Sequence, residues 1–212
     1  MISTLKNREL FKIEEEIRTG NHYGSNQEWY RKRWQRMAGC GPSAATNIIY
    51  YFNRTRERFA DCFNSLKLTR GSCLNLMNEL WNYVTPSLMG VNSTLMLCEG
   101  MERYLEAKNI EMRFNRLDIP KTLEKRPDFV RVTEFIAQAL NNDVPVAFLN
   151  FDHGSVLELD SWHWVTIIAL EADPGRRHTY VDILDGGMIN RIDLSLWYQT
   201  TKTGGGFVSF DS

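Results

Sequence analysis

The spacing of apolar residues changes character at Asp143, and that change constrains the fold more than any other feature of the chain. Before it, apolar positions recur at helical intervals; after it, they come as short β-branched and aromatic runs. Residues 4–18 read as an amphipathic helix carrying Leu5, Leu10, Phe11, Ile13 and Ile17, followed by a loop over 20–25. A second helix is predicted from Pro42 through "PSAATNIIYYFNRT", with proline suited to the first turn. A third, over 73–84, aligns Leu74, Met77, Leu80, Trp81 and Val84, and stops at "TPS" because the residue before proline resists helical geometry. Two more span 92–109, entered through Asn92 or Ser93 as N-cap, and 128–142. Beyond Asp143, "VPVAFLNF", "HWVTIIAL", "TYVDIL", "MINRIDL" and "GFVSF" read as strands separated by turn residues. Helices first and strands later argue an α+β fold with a mainly antiparallel sheet. The 212 residues suit one domain, drawn here over 27–212, preceded by a helical arm over 1–26.

Charge and cysteine usage narrow the function classes. A formal net charge of -1 supplies no global field for nucleic acid or anionic lipid. The basic and aromatic stretch "WYRKRWQR" (29–36) reads as a solvated face rather than a nucleic-acid patch. No run of 18 apolar residues is present, and the first 20 residues lack the pattern of a secretory signal. Four cysteines without tight spacing demand neither a disulfide framework nor a zinc site. The expectation is a cytoplasmic protein with no cofactor, no metal, no nucleic-acid partner and no membrane partner. Its oligomeric state is left open.

Chemistry enters with "GCGP" (39–42). Cys40 stands between two glycines at the start of a predicted helix, where free N–H groups and the macrodipole favour a thiolate. Gly39 and Gly41 would leave room for a substrate backbone, and Pro42 fixes the first turn. A lone cysteine is usually a packing residue; the rest of the chain argues otherwise here. Three of the four histidines, His22, His153 and His178, fall in loops, whereas His163 opens a strand, held by rigid backbone as a general base requires. On the next strand Asp182 or Asp185 would accept the second imidazole N–H and fix the tautomer. Gln35, five residues before Cys40, offers an amide for an oxyanion hole. Cys62, Cys73 and Cys98 fall among core residues and read as structural.

Gln, then "GCGPSAA" opening a helix, then "HWVTI" opening a strand, then Asp on the following strand, resembles the papain-like cysteine peptidases. The nearer likeness is to the bacterial branch that includes bacteriocin-leader-processing (C39-like) peptidases. The resemblance runs over roughly 27–210 and implies a papain-like fold: a helical half led by the Cys40 helix, and an antiparallel sheet carrying the histidine. It further implies Cys40 as nucleophile, His163 as base, Asp185 as the orienting residue and Gln35 as oxyanion donor, with Gln27 as the other candidate glutamine. In related folds an aromatic shields the histidine's hydrogen bond, a role open to Trp162 or Trp164. The implied function is a peptidase or amide hydrolase acting on a peptide or protein. An acyltransferase on the same triad and a non-catalytic peptide-binding relative are the alternatives.

Overall fold

The computed structural model describes residues 1–14, 22–65, 67–175 and 177–211. The chain opens with a short strand, β1 (Ile2–Thr4), then a 3-10 turn over Arg8–Phe11 and another over Gln27–Trp29. Five helices and one strand follow: α1 (Arg33–Ala38), α2 (Cys40–Thr55), α3 (Arg70–Trp81), α4 (Thr94–Ala107), β2 (Phe114–Ile119) and α5 (Phe129–Asn141). The chain continues as β3 (Val146–Asn150), β4 (His163–Ala172), β5 (Thr179–Asp185), β6 (Met188–Asp193), α6 (Leu194–Thr200) and β7 (Gly205–Phe210). The sheet order is β2-β7-β3-β4-β5-β6, antiparallel at every pairing, with β1 joined to β4 beyond the end of β3. A helical part beside one antiparallel sheet is the α+β, papain-like class read from the sequence.

Apolar patterning explains the main elements. α2 is buried from Cys40 through Phe52, so it is a core helix packed on α3 and β4, not a surface helix with one wet face. α3 is capped by Thr69 and Ser72, each side chain bonding the other's backbone, and buries Cys73, Leu76, Met77 and Leu80. Its C-cap is Asn82, so Val84 lies buried beyond the helix. α4 is entered through Ser93, whose side chain accepts the Met96 N–H.

The N-terminal segment departs from the helical reading of residues 4–18. Over the described part it forms β1 and a 3-10 turn, and residues 15–18 lie outside the described residues. The cause is an open edge on β4: Leu5 donates its N–H to the Ile168 carbonyl, and Leu5, Phe11 and Ile13 enter the common core. Strand β2 also lies in what reads as the helical half. It is a sheet edge whose Asn115, Arg116 and Asp118 are exposed, and the adjacent exposed pair masks its alternation. Among the described residues no helix is long and apolar enough to cross a membrane.

Candidate active site

Cys40 is the first residue of α2, and Gly39 serves both as the C-cap of α1 and as the N-cap of α2. The two flanking glycines are required by the protein itself. A Cβ on Gly39 would stand 2.4 Å from the Gln35 carbonyl oxygen and 2.6 Å from the Tyr30 ring, and one on Gly41 would stand 2.6 Å from Val91 Cγ2. The space expected for a substrate backbone is thus occupied by Tyr30 and Val91. Ser43 and Asn47, one and two turns further along α2, are also buried.

His163 begins β4, paired in register with Asn150 on β3, and is 8% exposed. Asp185 ends β5, directly before a turn in which Gly186 and Gly187 both have positive φ, 55° and 80°. Two such residues are what a tight hairpin of the right twist needs, and only glycine adopts them without strain. The turn leaves the Asp185 carboxylate at the strand end, with Oδ1 2.7 Å from His163 Nε2. Cys40 lines the same small cavity as His163 and Asp185, and its interaction with the ring, like that of Asp185, favours the protonated form. Cysteine, imidazole and carboxylate therefore meet at one cavity, with the imidazole and carboxylate hydrogen-bonded. Burial works to lower the His163 pKa, but the hydrogen bonds to Asp185 and Cys40 outweigh it and push it up to about 10. Asp182 lies three residues before Asp185 and so points to the other sheet face, where Arg8 binds it at 2.8 Å. It is not available to the imidazole.

Of the two glutamines, Gln27 lies beside Cys40 and His163, lining the same cavity of about 20 Å³. Gln35 sits half-exposed within α1, outside that lining. The reason is local: α1 is helical up to Gly39, so Gln35 is turned away from the α2 entrance. Gln27 is delivered instead by a loop clamped at both ends. Ser25 donates its N–H to Asn47 Oδ1 (2.7 Å) and its hydroxyl to the Ser43 carbonyl (2.8 Å), both on α2. Asn26 donates Nδ2 to the Gly186 carbonyl (2.7 Å), beside Asp185, while its Oδ1 accepts the Glu28 N–H. Two consecutive residues, Ser25 and Asn26, thus tie the cysteine helix to the aspartate turn. No periodic signal marks such a segment, and only its polar composition hints at it.

Trp164 is buried, lines the cavity and donates Nε1–H to the Val91 carbonyl at 2.6 Å. Trp162 is 54% exposed, has φ 57° and leans on Phe151 at 5.0 Å between ring centroids. Cys62, Cys73 and Cys98 are buried free thiols, and burial pushes them up to about 11, 12 and 12 respectively. A larger hollow of about 390 Å³ lies beside α4 and β2, away from these groups.

No family model matches the chain. No curated protein matches it in sequence. Among solved structures, the crystal structure of UfSP from C. elegans is similar over 100% of this chain and 34% of that one, with 12% identity and a TM-score of 0.54. The chain thus spans about a third of that structure's length, and at such identity the likeness is one of fold.

Proposed function

We propose that the protein is a cysteine-dependent peptidase or amide hydrolase that works through a thioester acyl-enzyme. The observation that carries the reading is the array of Cys40, His163 and Asp185 at the start of a core helix and the ends of two neighbouring strands. His163 takes the proton of Cys40, and the sulfur attacks the substrate carbonyl. The imidazolium, kept charged through neutral pH by Asp185 and the sulfur, then gives that proton to the leaving amine. The neutral ring next takes a proton from water, which attacks the thioester and frees the acid. Gln27 Nε2 and the Cys40 N–H are the donors assigned to the developing oxyanion. The likeness in fold to UfSP is compatible with this reading. The C39-like bacterial branch is favoured by "GCGPSAA" and "HWVTI" alone. Four free cysteines suit a reducing, cytoplasmic setting.

The test is a fluorogenic peptide library read with wild type, Cys40→Ala and His163→Ala, alongside mass mapping of a covalent epoxide probe. Cleavage by wild type alone and a single label on Cys40 are expected. Cleavage that survives Cys40→Ala, or a probe bound elsewhere, would refute the reading.

A further inference from the structure

Two buried oxygens next to the cysteine have no match within the protein. Ser43 and Gln27 line the cavity that Cys40 and His163 also line, and Ser43 Oγ and Gln27 Oε1 are both buried. Neither has a hydrogen-bond partner among the described residues. Their polar neighbours are already engaged: Ser25 with Asn47 and the Ser43 carbonyl, and Asn47 Nδ2 with Thr166 Oγ1 at 3.1 Å. A helical serine commonly bonds the carbonyl one turn back. Here the Gly39 carbonyl accepts the Ser43 N–H, at 2.9 Å, and the hydroxyl of this 7%-exposed residue has no partner among the described residues.

Buried polar atoms are nearly always satisfied, by protein or by ordered water. The cavity measures about 20 Å³. One water needs roughly 10–15 Å³ and two or more polar partners. Organic ligands occupy pockets more than about tenfold larger. Size and chemistry select the same occupant.

We propose that this cavity is a specific site for one water molecule, bound between Ser43 Oγ and Gln27 Oε1, that positions the glutamine amide. The water donates one hydrogen to Oε1 and exchanges a hydrogen bond with the serine hydroxyl. With its oxygen satisfied from within, the Gln27 amide keeps Nε2 for the cleft above Cys40. Ser43 is therefore a positioning residue that acts through the water. The role of Nε2 rests on the peptidase reading; the water site does not.

A high-resolution crystal structure of the wild-type protein should show one ordered water within hydrogen-bond reach of both oxygens. Ser43→Val should replace it with hydrocarbon. On a peptide the wild type cleaves, Gln27→Ala should lower kcat by about a hundredfold and Ser43→Val by at least about tenfold, with little change in KM. The double variant should be no worse than Gln27→Ala alone. Alkylation of Cys40 by iodoacetamide, which develops no oxyanion, should run at the wild-type rate in Ser43→Val. Ser43→Ala, which removes the hydroxyl without adding bulk, serves if the valine variant does not fold. A wild-type crystal with Ser43 Oγ bonded to protein and no density in the cavity overturns the water site. A wild-type kcat in both Ser43 variants overturns its positioning role. If the water is present but no peptide is cleaved, the peptidase reading fails and the site stands.

Discussion

At the scale of single residues, the histidine is the group whose charge the fold controls most directly. His163 is buried, yet the hydrogen bonds to Asp185 and Cys40 hold its pKa at about 10, above the ordinary imidazole value of about 6.5. A folded-state pKa above the unfolded one means that the native protein binds the proton more tightly. The stabilisation is complete below about pH 6.5 and is lost as pH rises through about 10. Asp185→Asn removes the carboxylate that holds the proton. The melting temperature of the variant should therefore fall furthest below wild type near pH 6, and the gap should narrow steadily toward pH 10. A gap constant with pH would mean that Asp185 acts only as a neutral hydrogen-bond acceptor. The other cysteines give a second prediction at this scale. Cys62, Cys73 and Cys98 are 2%, 1% and 6% exposed, and burial holds all three in the thiol form. Iodoacetamide at about pH 7.5 should label Cys40 alone in the folded protein and all four in denaturant. Native labelling of any of the other three would contradict the packing described.

At the scale of elements, the junction around Cys40 depends on close approach. Gly41→Ala would gain up to about 1 kcal/mol of helix propensity. Against that, the new methyl would stand 2.6 Å from Val91 Cγ2 and 2.8 Å from its Cβ. Val91 cannot swing aside, because it is 3% exposed and its carbonyl receives the Trp164 indole. Overpacking of this kind costs about 1–3 kcal/mol, so the net effect should be destabilising and visible as a lower urea midpoint at unchanged m-value. The same junction shows where sequence reasoning reaches and where it stops. α2 and the strands bearing His163 and Asp185 were legible because each is a long periodic run with turn residues at its ends. Asp185 was separable from Asp182 only once the strand faces were known, since both sit on β5 with turn or strand logic of their own. Gln35 looked closer to the cysteine than Gln27 because chain distance stood in for space. The clamp through Ser25 and Asn26 reverses that order by bonds to α2 and the Gly186 turn, far apart in sequence. β1 and α6, of 3 and 7 residues, are too short to carry a period.

Across the whole molecule, the first 13 residues decide whether a boundary near residue 26 is also a boundary of the fold. β1 covers the stretch of β4 that β3 does not reach, pairing Ile2, Ser3 and Thr4 with Glu171, Leu170 and Ala169. Next along the chain, Lys6 donates its N–H to Asp143 Oδ1 at 2.8 Å, and Phe11 stacks on Tyr51 with ring centroids 5.3 Å apart. Tyr51 closes the loop by donating its hydroxyl to the same Asp143 oxygen at 2.6 Å. The segment therefore braces the core helix against the point where the helical part passes into the sheet. Leu5, Phe11 and Ile13 are 2%, 0% and 3% exposed. Burying each is worth about 1.5–3 kcal/mol, or roughly 5–9 kcal/mol together. A domain of this kind has only about 5–15 kcal/mol of net stability. Removal of residues 1–13 should therefore leave a chain with no cooperative urea transition, or one with its midpoint near zero denaturant, when followed by circular dichroism. A truncated protein that melts cooperatively at the wild-type midpoint would make the segment a true appendage. It would also leave the placement of Cys40 independent of it.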